Sequence, residues 1–217
     1  NRTKTWFNHG GAFIGETVYF WGMYTFYCYG WDRPGNLPVG ELTNRFIRRE
    51  YTVSPELMAM MLDYHDYAGD DRFFAETLLP MCDSLLEFWD KHYEIDENGH
   101  MNMYPAQALE TLQDAANPAP DIAGLKWVLG RLLALPGEKV GVERRRFWAR
   151  LSDKIPPLPM GKVEGDMCVL GAGKVFGVRE NCENPELYAV FPFRLYGTGK
   201  PDLAVGRATF ANRTEKG

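Results

Sequence analysis

The sequence predicts an all-α chain, and three observations predict it. Apolar residues recur at three- and four-residue spacing over long stretches. Capping residues and prolines stand where those stretches begin. Glycine and proline stand where they stop. The stretches are joined by long, turn-rich connections. Simple helical bundles use short ones, so the long connections read as functional loops on one face of a helical scaffold.

The elements follow in chain order. Ala12 to Phe26 reads as an aromatic helix, with Phe13, Thr17, Phe20 and Tyr24 on one face. Cys28 to Val53 is loop-rich, and Trp31 to Pro38 carries strong turn chemistry. Ser54-Pro55-Glu56 opens a helix, with Ser54 as its cap, and Leu57, Met60, Met61, Tyr64 and Tyr67 follow at helical spacing. Gly69-Asp70-Asp71 closes that helix and opens the next. Phe74, Leu78, Met81, Leu85, Phe88 and Trp89 continue the period to Tyr93, with a kink expected at Pro80. The two make an αα-hairpin. Asn98-Gly99 marks a turn that fits a small β-hairpin. Pro105 to Ala116 is ambiguous between periods.

Asn117-Pro118-Ala119-Pro120-Asp121 starts a well-marked helix, with Ile122, Leu125, Val128, Leu129 and Leu132 as its apolar stripe. Pro136-Gly137 ends it. A polar helix follows to Ile155, with Phe147, Trp148 and Leu151 facing inward, and Arg144-Arg145-Arg146 on its solvated face. Pro156-Pro157-Leu158-Pro159 breaks the chain, and residues 160–180 are glycine-rich and β-prone. Asn184-Pro185-Glu186 opens an apolar helix through Tyr196, and Asp202 to Asn212 forms a last one.

Composition narrows the function classes. The chain has 217 residues, which fits one domain, and its 45% apolar and 24% charged residues are those of a globular core. Net charge is −5 and no basic stripe exists, which argues against nucleic acid as a partner. The most apolar stretch, Phe13 to Trp31, holds Glu16 and several glycines and is too polar and short for a membrane span. Cys28, Cys82, Cys168 and Cys182 form no C-x-x-C pair and have no histidine at finger spacing, so free, buried thiols are expected and no metal site. The chain opens on Asn1 without a visible signal peptide, and a portion of a longer polypeptide is expected.

Gly171 to Gly177 invites a phosphate-loop reading and fails it, because Lys174 is followed by Val175 rather than Ser or Thr. No nucleophile elbow is present. The better signal is carboxylates beside proline-started helices: Asp121 and Glu186. Acids in a first helical turn also complement the helix dipole, which lowers a carboxyl pKa. A general acid needs the opposite shift, so desolvation or a neighbouring carboxylate must outweigh the dipole. Glu180, Glu183 and Glu186 are candidate neighbours, as are Glu110 and Asp114. His9, beside two glycines, is a ligand-contact candidate, and the loops add Trp6, Trp31, Asn102, Tyr104 and Gln107. Carboxylates, amides and aromatic rings together are what carbohydrate chemistry requires.

Asn117-Pro-Ala-Pro-Asp-Ile-Ala-Gly-Leu125 and Glu183-Asn-Pro-Glu-Leu-Tyr-Ala-Val-Phe-Pro192 resemble segments of large secreted bacterial proteins related to glycoside hydrolases, as does His9 to Gly22. Their catalytic domains are (α/α)6 toroids, and the nearest characterised relatives are inverting α-L-fucosidases. The resemblance implies part of such a toroid over residues 1–217 and a secreted or periplasmic location. It implies hydrolysis of a glycosidic bond in an oligosaccharide or polysaccharide, with inversion and with Asp121 as general acid. Glu183 and Glu186 lie where the fucosidases carry substrate-binding histidines. They are the candidates within this chain for the group that positions water, together with Glu16. His9, Glu16, Trp31, Tyr104, Glu110, Asn117 and Asn184 are the expected substrate contacts, and no cofactor is implied. Two alternatives remain: a toroidal polysaccharide lyase using Tyr188, Arg194 and His9, and a non-catalytic glycan-binding helical module.

Overall fold

A computed structural model describes residues 2–16, 35–42 and 44–216. Helix accounts for about 48% and strand for 11%, the strand lying in two antiparallel sheets. The architecture is therefore a mixture of helix and sheet, which overturns the expectation of an all-α toroid.

The helices are α1 (Arg2–Phe7), α2 (Val53–Ala68), α3 (Asp71–Phe73), α4 (Leu79–His92), α5 (Ala119–Ala134), α6 (Gly137–Val140), α7 (Val142–Asp153) and α8 (Leu203–Ala211). Strands β1 (Ala106–Ala108), β2 (Leu112–Ala116) and β5 (Lys174–Val175) form one sheet in that order. Strands β3 (Met160–Val163) and β4 (Met167–Leu170) form the other. None of the helices among the described residues is long and apolar enough to cross a membrane.

The core lies where α2, α4, α5 and α7 meet. Leu62, Leu85, Trp89, Leu125, Leu129 and Trp148 are all buried there. Burying a large side chain of this kind stabilises by roughly 1.5–3 kcal/mol. α2 and α5 pack closely because Gly124 has no side chain: a Cβ at that position would lie 2.6 Å from Pro55 Cβ and 2.7 Å from Phe193 Cζ. Arg145 leaves the expected solvated face and donates to Leu133 O and Leu135 O, satisfying carbonyls at the end of α5. Its neighbours Arg144 and Arg146 pair with Asp83 and Glu143.

Local chemistry explains most boundaries. Gly69 closes α2 at φ 61, and the Asp70 side chain caps α3 by accepting from Phe73 N–H. Between α3 and α4, residues Phe74–Leu78 form a π-helical turn in which Leu79 N–H bonds Phe74 O. The widened turn precedes Pro80, whose ring would clash with the Glu76 carbonyl in a regular α-helix. The expected kink is thus a π segment.

Four local expectations are corrected and one ambiguity is resolved. Ala12–Glu16 is not helical, and the rest of that expected helix lies outside the described residues. Thr52 rather than Ser54 stands at the cap position of α2, and its hydroxyl is used elsewhere. Pro105 to Ala116 contains the β1–β2 hairpin, with Ala106 opposite Ala115 and Ala108 opposite Leu112. Asn184-Pro185-Glu186 opens only a single 3-10 turn, Pro185–Leu187, because Pro192 lacks a donor and Arg194 takes φ 50. Cys168 and Cys182 are exposed rather than buried, while Cys82 is buried and Cys28 lies outside the described residues.

Candidate active site

The site is built on the β1–β2 hairpin. Its floor is Gln107 in β1, which is buried. Gln107 Nε2 faces Phe46 O at 2.6 Å, Leu109 O at 3.0 Å and Glu50 Oε2 at 3.3 Å. Its Oε1 accepts from Arg49 N–H at 2.7 Å. An amide offers two donor hydrogens, so these three acceptors share them. One side chain thereby fixes the loop 44–50 against the hairpin.

The hairpin tip carries Leu109, Glu110 and Thr111. Leu109 holds φ 56, a left-handed conformation that costs a leucine about 1–2 kcal/mol. Glu110 is partly buried, and Asn181 Nδ2 donates to its Oε2 at 2.8 Å. Thr111 is fully buried. Its Oγ1 donates to Glu183 Oε2 at 2.8 Å and accepts from Glu183 N–H at 3.1 Å. Glu180 N–H donates to Thr111 O at 2.9 Å, and Arg179 Nη2 donates to Glu183 O. The loop 179–183 is thus stitched to the tip, which brings Glu110 and Glu183 to one place.

Electrostatics then separates the carboxyls. Burial raises the Glu110 carboxyl above its ordinary range, the negative charges of Glu16 and Glu183 raise it further, and the Asn181 bond opposes them. Burial also raises Glu56, against a hydrogen bond with Tyr188. Glu50 is raised well above its ordinary value, first by burial and then by Asp121, Glu183 and Glu56. A group of mutually repelling acids beside a strained tip is the environment in which one carboxyl keeps its proton near neutrality while another stays ionised.

The sequence candidates distribute unevenly over this arrangement. Glu110, Glu183 and Glu16 come together at the tip. Asp121, the first choice for general acid, is fully buried in the first turn of α5, and Thr52 Oγ1 donates to its Oδ1 at 2.6 Å. Burial and then Glu56 push it up to about 8, with the Thr52 bond opposing. Desolvation outweighs the helix dipole, as a general acid would need, yet no face of Asp121 is open to a substrate. Glu186 is 9% exposed and lies 3.4 Å from Thr214 N–H, under the C-terminal segment. Asn184 holds the same segment through Glu215 N–H and Glu215 O. Asn117 clamps Met103 through its side chain and backbone and does not cap α5.

His9 is occupied among aromatic rings: its Nε2 lies 3.1 Å from His92 Nδ1, and its ring contacts Phe7 and Phe88. Tyr104 is half exposed and stands edge-on to Phe176 at 5.4 Å, beside the strand ends of the three-stranded sheet. Trp31 lies outside the described residues. Tyr188 keeps its proton, because burial and then the charges of Glu56, Glu50 and Glu183 raise its phenol well above its ordinary value.

Glu50, Thr52, Thr111 and Asn181 were not among the sequence candidates. They sit in segments without a motif, and only their proximity in the fold connects them. No cluster of metal-ligating side chains occurs among the described residues. No family model and no curated protein matches the chain.

Proposed function

We propose that this chain hydrolyses a glycosidic bond, with Glu110 donating the proton to the leaving oxygen and Glu183 positioning the attacking water, so that the anomeric centre inverts. The observation that carries the proposal is the environment of Glu110. It is partly buried, and burial and then the charges of Glu16 and Glu183 raise its carboxyl, the direction a general acid needs. Glu183, fixed by Thr111, supplies the complementary carboxylate. Tyr104 and Phe176, beside strand ends of the three-stranded sheet, offer exposed rings for the apolar face of a sugar. Asp121 takes no part in proton transfer; it holds the buried base of the site together through Thr52. A lyase is less well supported, because these surroundings disfavour the phenolate form of Tyr188 that would abstract a proton.

The test is a screen of glycosides and polysaccharides for released reducing ends, followed by Glu110→Gln. Loss of a positioned general acid lowers turnover by about 100- to 10,000-fold, with the circular dichroism spectrum unchanged. Wild-type turnover in Glu110→Gln would remove Glu110 from the mechanism. A wild-type chain that releases nothing from any glycan would overturn the hydrolase reading.

A further inference from the structure

A second feature stands apart from the hairpin tip. A cavity of about 730 Å3 opens where α5, α8 and the loop 190–200 meet, and its walls include Trp127, Arg131, Arg194, Tyr196, Lys200 and Arg207. That volume lies inside the roughly 300–1,000 Å3 range of small-ligand sites and exceeds what a bare inorganic anion fills. Four cations line it and no carboxylate does. In a chain of net charge −5 such a concentration is against the average.

The cations fall into two kinds. Arg131 and Arg194 are held flat against Trp127, their guanidinium carbons 5.1 and 4.6 Å from the ring centre. Acids behind them fix their orientation. Arg194 Nη2 donates to both oxygens of Asp63 at 2.9 Å, and Arg131 pairs with Asp66. Lys200 and Arg207 are exposed and make no ion pair among the described residues. Burial, and then the charge of Asp202, raise the Tyr196 phenol, which keeps its O–H available as a donor. Val190, Leu203 and Phe210 complete an apolar lining. Cations and a hydroxyl set into apolar walls suit a ligand that is a ring bearing an acid group.

A neighbouring cavity of about 440 Å3 shares Arg194 with this one and is also lined by Glu56 and Tyr188. Both of those feel the charge of Glu183.

We propose that the cavity between α5 and α8 binds a sugar unit carrying a carboxylate or sulfate group, with Lys200 and Arg207 neutralising the acid. An acidic glycan is then the substrate class. The binding stands by itself, while the statement about substrate rests on the hydrolase reading.

The experiment is a titration followed by NMR at the Trp127 indole N–H and the Lys200 and Arg207 amides. The probes are glucuronate, glucose 6-sulfate, glucose and inorganic sulfate. Glucuronate or glucose 6-sulfate is expected to bind saturably and at least tenfold more tightly than glucose or inorganic sulfate. The double variant Lys200→Gln/Arg207→Gln, altered only at exposed positions, is expected to lose at least tenfold in affinity. Equal binding of glucose, equal binding of inorganic sulfate, no binding at all, or an unaffected double variant would each overturn the proposal. Binding of the acidic sugars by a chain that cleaves no glycan would sink the hydrolase reading and leave the cavity assigned. Cleavage of neutral glycans without acidic-sugar binding would do the reverse.

Discussion

Thr52 Oγ1 donates a 2.6 Å hydrogen bond to Asp121 Oδ1, joining residues 69 positions apart inside the core. The other oxygen, Oδ2, is buried and has no hydrogen-bond partner among the described residues. A carboxylate so placed favours its neutral form, and its pKa is raised from 3.8 to about 8. The unfolded chain ionises Asp121 above pH 3.8, whereas the folded chain holds the proton to about 8. The folded state therefore binds the extra proton in that window. This group's contribution is complete at low pH and falls by about 1.4 kcal/mol per unit as pH rises through the window. Asp121→Asn keeps an oxygen for Thr52 and should remove the slope. Urea unfolding of both proteins from pH 5 to 7.5 measures it, and parallel curves would show that Asp121 ionises normally. Thr52→Val leaves Oδ1 without its donor and should cost about 1–3 kcal/mol.

His92 gives the opposite sign. Its ring stacks on Phe88 at 4.7 Å, and its Nδ1 faces His9 Nε2. Burial, and then the charge of His9, lower its pKa from 6.5 to about 3. Here the unfolded chain binds the extra proton, so stability is complete above 6.5 and is lost as pH falls toward 3. His92→Phe keeps the ring and should flatten the acid limb. Between about 4 and 6.5 the Asp121 and His92 slopes oppose each other, so the difference between wild type and variant is the quantity to follow. A melting temperature that falls equally in both proteins from pH 6.5 to 4 would exclude His92 as the cause.

The helices that were legible, α2, α4, α5 and α8, carry an apolar period or punctuation in their own sequence. Asp70 at a cap, Gly69 at a close and Pro118-Ala119-Pro120 at a start act through neighbours a few residues away. The β1–β2 hairpin was not legible for a physical reason. Ala106, Ala108, Ala115 and Ala116 are small and buried and replace the β-branched alternation that announces a strand. The candidate site shows the same division. Glu183 and Glu110 were named from chemistry, but their association depends on Thr111 and Asn181, whose roles exist only after the loop 179–183 meets the tip. Asp121 looked catalytic for the reason that makes it structural: a proline-started helix turns it inward, where Thr52 receives it.

Two glycines of α5 should respond oppositely to the same substitution. Gly124→Ala places a Cβ against Pro55 and Phe193, forcing α2 away from α5 at a cost of about 1–3 kcal/mol. Gly130 is exposed and nothing lies within 4 Å of its added Cβ, so Gly130→Ala should stabilise by up to about 1 kcal/mol through helix propensity alone. Chemical denaturation of the pair decides the matter. An unperturbed Gly124→Ala would mean that the two helices are not in close contact.

The division of labour between Glu110 and Glu183 can be tested without any substrate. Burial is the largest cause of the raised Glu110 carboxyl, and the charges of Glu16 and Glu183 follow it. Glu183→Gln removes one of those charges while leaving an oxygen that can accept from Thr111, so the Glu110 pKa should fall toward its ordinary value. Glu16→Gln should shift it in the same direction. Asn181→Ala removes the bond that favours the ionised form and should move it upward. Carbon NMR of the Glu110 carboxyl through a pH titration reads all three shifts directly. If the hydrolase reading holds, the basic limb of the pH–rate profile moves down in Glu16→Gln and up in Asn181→Ala, while Glu183→Gln also loses turnover because water is no longer activated. A Glu110 titration indifferent to Glu183 would mean that the two carboxyls do not form a working pair, and the second catalytic role would then pass from Glu183 to another acid.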